Sequence, residues 1–266
     1  MEPTTLTSAS GIIDTLPLWA VGFITLTIVL LSIELGWRLG NRNRQRSEKE
    51  KEAPIGAVVG ATLGLLAFLL AFTFGMAATR YDNRRSVVLQ ESNAIGTTYL
   101  RADLLPEPQR TEVRNLLREY AALRVEGAAT ILSQEGMAKA AALHDRLWAA
   151  TVTMDKKTDP VMVGLFVQSL NETIDLDAVR VAANRNQVPD IIWYSLYLIT
   201  MFTMAEIGYQ FGLSGARSWT VTILLALVFT AVILLIADLD RPQQGLLQVS
   251  QQALLDLLGK IGTPIP

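Results

Sequence analysis

The sequence predicts an all-α integral membrane protein with four transmembrane helices and an extramembrane helical bundle. Residues 15–33, 55–79 and 218–237 hold no Asp, Glu, Lys or Arg, and a fourth apolar run, 191–216, holds only Glu206. About 20 apolar residues rising 1.5 Å each cross a ~30 Å hydrocarbon core. Mean hydropathy is +0.32 although 18% of the chain is charged, so the charges are gathered outside the runs. Between residues 80 and 187 the helical period persists without any alternating strand pattern.

Residues 1–54 read as an N-terminal span and a polar loop. The only charges before the first run are Glu2 and Asp14, which lacks the basic n-region of a cleavable signal, so the span is expected to stay as an anchor. Trp19 and Trp37 flank it as interfacial rings do. The following segment, RLGNRNRQRSEKEKE, carries six basic and three acidic residues and reads as a solvated loop. Pro54 then opens a helix. Residues 55–105 read as the second span continuing as one long helix toward the Pro106/Pro108 turn, since no breaker interrupts it.

Residues 106–189 read as the bundle. Val113, Leu116, Leu117, Tyr120 and Leu123 recur at helical spacing, as do Leu143, Leu147 and Ala150, then Val163, Phe166, Val167 and Leu170. Gly127, Gly136 and the KKTDP turn at 156–160 are expected to separate these helices. Residues 190–237 carry the third and fourth spans. In the tail, 238–266, Pro242 breaks the last span before a short amphipathic helix with Leu247, Leu254, Leu255 and Leu258, expected on the bundle or the headgroups.

The composition narrows function. Zero cysteines exclude disulfides, thiolate metal sites and a cysteine nucleophile, and a single histidine, His144, leaves little for metal binding. A formal charge of −2 gives no basic footprint for nucleic acid. No residue pair suggests acid–base or nucleophilic catalysis, so neither an enzyme nor a cofactor is expected, and the partners are membrane lipids and inorganic ions.

The second span is the most informative. Gly56, Gly60 and Gly64 repeat every four residues and give way to Phe68, Phe72 and Met76 on the same spacing. Two readings stand: a helix-packing seam, or one face of a pore in which Phe68 and Phe72 form apolar rings that gate by dewetting. Glu206, an acid within a span, is either a functional group or one that snorkels or pairs with an arginine. Arg80 and Arg84 line a basic vestibule or, as expected for Arg85, anchor the helix at the interface. Glu34 and Arg38, four apart, suit a local ion pair. Glu172, Asp175 and Asp177 read as a solvated face rather than a cation site, and His144 as a partly buried histidine.

The stretch FLLAFTFGMAATRYDNRR is similar to the pore helix of bestrophins, with phenylalanines one turn apart followed by Thr-Arg-aromatic, here Thr79-Arg80-Tyr81. LFVQSLNETIDLDAVRVAANRNQVPDIIWYSLYLITMF resembles the segment entering their third span through Gln168, Ser169, Leu170, Asn171, Glu172, Pro189 and Asp190. IADLDRPQQG is a weaker match to their Asn-Pro-Phe-Gly turn. The resemblance, to bacterial bestrophin-like membrane proteins, covers about residues 55–250. It implies an oligomeric, anion-conducting channel of the inner membrane, a pentamer, with Phe68 and Phe72 at the neck. The sequence departs from the pattern at Gly64, where the family places a third aromatic, and at Asp238 and Asp240, the sole counterparts of an animal calcium clasp. Loop charge, seven basic residues against six, puts the bundle outside the cell, whereas the resemblance implies the reverse. The competing class is a non-conducting sensor or scaffold signalling along the second-span helix.

Overall fold

The computed structural model describes residues 16–46, 55–153, 159–215, 217–242 and 245–262. Among them are nine α-helices and no strand: α1 (Leu18–Arg46), α2 (Ile55–Arg101), α3 (Gln109–Val125), α4 (Ala128–Leu132), α5 (Gln134–Val152), α6 (Pro160–Arg185), α7 (Asp190–Ser214), α8 (Trp219–Asp240) and α9 (Gln252–Gly262). Four helical runs, containing α1, α2, α7 and α8, are long and apolar enough to cross a membrane. The rest of the polar loop after Arg46, Pro54 and residues 156–158 of the KKTDP turn lie outside the described residues.

The chain divides into two compact units, residues 1–78 with 187–246, and 79–186 with 247–266. α2 is a single 47-residue helix that contributes to both, as the unbroken sequence requires.

In the first unit α1 packs along α7 and against α8. The α1–α7 contact is made by glycines in both helices. A Cβ on Gly36 or Gly40 would collide with the carbonyl oxygens of Ala205 or Tyr209, and one on Gly208 or Gly212 with those of Ile33 or Trp37. Backbone thus lies on backbone, the close approach that small residues four apart allow. Thr25 and Tyr197 hydroxyls meet at 2.7 Å, and Asn43 Nδ2 donates to Tyr209 Oη at 2.9 Å, pinning the two helices at separate levels. α7 stops at Gly215, whose φ of 70° supplies a left-handed cap. α8 starts on Ser218, whose hydroxyl accepts from Val221 N.

The second unit is a helical bundle whose core contains Ile95, Leu105, Val113, Leu116, Leu117, Tyr120, Leu143, Leu147, Phe166 and Leu170. The apolar faces read from helical spacing are therefore the packed faces. α9 lies on this bundle: Leu254, Leu257 and Ile261 join the core, while Arg118 Nε donates to Ile261 O at 2.7 Å and Ser92 Oγ to Ala253 O at 2.9 Å. Gly136, expected as a separator, sits instead in the first turn of α5. The break is at Ser133, whose hydroxyl accepts from Gly136 N at 2.9 Å. Gly136 is small because Thr130 O occupies the space a Cβ would need.

Gly36→Ala and Gly208→Ala should each lower the thermal stability of the detergent-solubilised protein, by about 1–3 kcal/mol for overpacking against backbone. Gly60→Ala, with open space in the chain, should leave it unchanged or raise it by up to about 1 kcal/mol through helix propensity. Equal losses in all three variants would place the seam wrongly.

Candidate functional site

Along its first 24 residues α2 buries Val59, Leu66, Leu70, Thr73 and Ala77, spaced seven, four, three and four residues apart, which mark its inner face. At 100° per residue, Gly64, Phe68 and Phe72 fall on the opposite side. Phe68 is 65% exposed and Phe72 56%, and their rings stack with centroids 6.5 Å apart. A Cβ on Gly60 or Gly64 would meet no atom within 4 Å, whereas one on Gly56 would come within 3.3 Å of Gln210 Nε2. Gly60 and Gly64 are therefore not the packing seam of this chain, which runs through Gly36, Gly40, Gly208 and Gly212. That seam repeats the same four-residue glycine signal in the first and third spans, where sequence reasoning did not look for it.

Glu206 is half-buried on α7 and accepts a hydrogen bond from Thr62 Oγ1 of α2 at 2.5 Å. Its partner is a hydroxyl, not the arginine that one sequence reading supposed. In the second unit Arg80 is half-buried and donates through Nε to Asn186 Oδ1 at 3.3 Å. Arg84 is only 3% exposed, so it presents no charged surface, and Arg85 is exposed. Glu34 meets Arg38 at 2.8 Å as its spacing predicts, and also Arg217 at 3.1 Å, whose guanidinium lies between the rings of Trp37 and Trp219.

Asp238 and Asp240, the counterparts of the calcium clasp, are otherwise engaged, whereas Glu172 and Asp175 are exposed as a solvated face would be. Asp240 accepts from Val188 N through both oxygens, at 2.9 and 3.0 Å, and Asp238 from Leu246 N at 2.8 Å. Both are buried turn-holding carboxylates. Among the described residues no cluster of three potential ligands could hold a metal ion.

A buried polar cluster in the second unit was not singled out in the sequence. Glu91 of α2 is fully buried and meets Arg124 Nε of α3 at 2.6 Å and Arg180 Nη1 of α6. Tyr120 Oη donates to the same carboxylate at 3.1 Å, Arg124 Nη1 reaches Asp177 at 2.7 Å, and Arg180 Nη2 donates to Gln251 Oε1 at 2.7 Å. The His144 ring packs against Tyr120 at a tilt of 53° with centroids 4.9 Å apart, its Nδ1 4.0 Å from Asp177. Burial, then the Glu91 charge, pushes the Tyr120 phenol well above its ordinary value. Burial holds the His144 imidazole below its ordinary value, with the attraction of Asp177 opposing and the Arg124 charge assisting. The available signal was Glu91 lying on an apolar face set by Val87, Val88, Ala94 and Ile95, where a charge must have partners.

Four spans and an all-helical extramembrane bundle define a multi-pass membrane protein. The Bestrophin-like domain matches residues 24–254, and the chain belongs to that family. Two crystal structures of single-residue variants of a bacterial bestrophin homologue from Klebsiella pneumoniae share the fold. One aligns with a TM-score of 0.64 at 14% identity over 89% of this chain and 97% of that one. The other gives 0.61 at 16% over 88% and 98%. A crystal structure described as that of a membrane protein aligns at 0.57 and 15% identity over 88% and 98%. No curated protein sequence matches the chain. Family and fold together support an ion-channel kind of function.

Two consequences follow from the buried cluster. Glu91→Ala strands two buried guanidinium groups and should cost about 3–5 kcal/mol of stability, measured by thermal unfolding in detergent. His144, its native pKa lowered chiefly by burial, takes up a proton less readily in the fold than in the unfolded chain. Stability should therefore fall as pH drops from about 7 toward 5, and His144→Phe should flatten that slope.

Proposed function

We propose that the protein is a homo-oligomeric ion channel of the inner membrane, with copies of α2 around a shared axis and Phe68 and Phe72 as an apolar constriction. One observation carries this: the face of α2 bearing Gly60, Gly64, Phe68 and Phe72 is the one its own chain leaves uncovered. In a pore, two apolar rings one turn apart exclude water and gate ions by dewetting. Gly64, lacking the third aromatic that bestrophins carry, shortens the constriction and widens its approach. A pentamer is the assembly the family resemblance favours.

An uncharged lining confers little selectivity, so the preference for anions rests on Arg80 at the end of the apolar run. Arg84 is too buried to contribute surface charge. A second reading is favoured by the continuity of α2 over 47 residues: a non-conducting sensor in which that helix transmits a mechanical signal.

Single-channel recording of the purified protein in planar bilayers separates the two. Currents that rise several-fold in Phe68→Ala and Phe72→Ala, with a reversal potential moved toward cations in Arg80→Glu, are the expected result. Silence of every variant at every voltage favours the sensor. A mass in detergent corresponding to a dimer would leave no room for an axial pore.

A further inference from the structure

Next to the Glu91 cluster, the second unit has an open cleft of about 650 Å³, within the size range of small-molecule sites. Its polar wall is formed by Arg124, Arg185, Asn186 and Asp177, and its apolar wall includes Ile131, Met137 and Val181. The charges around it do not balance. Three guanidinium groups, Arg124, Arg180 and Arg185, face two carboxylates, Glu91 and Asp177, and both carboxylates are taken by Arg124 and Arg180.

Arg185 is the excess cation. Its Nη2 lies 3.4 Å from the thioether sulfur of Met137, a weak acceptor, and among the described residues it forms no ion pair. Arg124 is 2% exposed, and its Nη2 is buried with no hydrogen-bond partner. Arg124, whose buried Nη2 has no acceptor, and the exposed Arg185 thus both line one cleft, with apolar surface beside them.

We propose that this cleft binds a small organic anion, its oxyanion head group on Arg124 and Arg185 and a short apolar body against Ile131, Met137 and Val181. Guanidinium groups present a planar fork of donors that matches carboxylate and phosphate oxygens, and the Asn186 amide adds a donor. Asp177 is paired with Arg124 at 2.7 Å, and Arg185 supplies the unmatched positive charge. The site is independent of conduction and stands or falls separately from the channel reading.

Isothermal titration of the full chain in detergent with benzoate and with phenyl phosphate tests it. Saturable binding is expected for at least one, the tighter naming the head group, with neutral benzyl alcohol failing to bind. Arg185→Gln, at an exposed position that leaves the core intact, should weaken binding about tenfold, the order of one charge-assisted pair. Ala182→Trp, filling the cleft, should abolish it. No saturable signal for either anion, equal binding of benzyl alcohol, or unchanged affinity in Arg185→Gln overturns the proposal and leaves Arg185 as a counter-charge to the carbonyl end of α6.

Discussion

A helix surrounded by lipid gains nothing by burying a leucine, because acyl chains are as apolar as its neighbours. Contact between spans must come instead from close backbone approach and from polar pairs. In the first unit α1 and α7 obtain both, through four glycines set against carbonyl oxygens and through the Thr25–Tyr197 and Asn43–Tyr209 bonds. That constraint decides which faces of α1 and α7 meet. It also explains why α2 can keep phenylalanines on its outer face: in a bilayer, exposing Phe68 and Phe72 costs little until an aqueous axis or another copy meets them.

Outside the membrane the opposite physics holds. The second unit collects Leu, Val, Phe and Tyr faces into a core because water penalises their exposure. Into that core it places Glu91, which is tolerable only because two guanidinium groups and a phenol surround it. The cluster draws on α2, α3, α6 and, through Gln251, the segment leading into α9. Buried ion pairs add little net stability over a hydrophobic substitute, but they penalise every arrangement in which a partner is missing. The cluster thus fixes the register of the helices it joins more than it strengthens them.

Periodicity made the architecture readable. The apolar runs point to the spans, the unbroken 55–105 segment to the long helix, which ends at Arg101, and Val113, Leu116, Leu117 and Tyr120 to a buried core face. What stayed hidden were pairings between distant residues. A glycine in a span shows small volume but not which helix approaches it, so the repeat in α2 drew attention while Gly36, Gly40, Gly208 and Gly212 formed the contact. Likewise an isolated glutamate at position 91 announces a need for partners without naming Arg124 and Arg180, which lie 33 and 89 residues away. Arg84 illustrates the reverse error: charge and location favoured a surface role, and packing buried it.

The candidate pore face and Glu206 then fit one logic. Thr62 projects from the flank of α2 toward α7, where its hydroxyl satisfies the Glu206 carboxylate at 2.5 Å, so the single acid within these spans is engaged inside the chain rather than displayed on the outer face. The uncovered face carries Gly60, Gly64, Phe68 and Phe72 beside exposed Ala61, Leu65 and Ala71, and no charge. A lining of that kind interacts with ions through the water it admits or excludes and carries no fixed charge of its own. In the proposed channel, discrimination between ions would come from charges beyond the apolar run, and openness from the diameter the two rings set. That proposal gives conductance and selectivity to different residues, which is the physical content of an apolar neck.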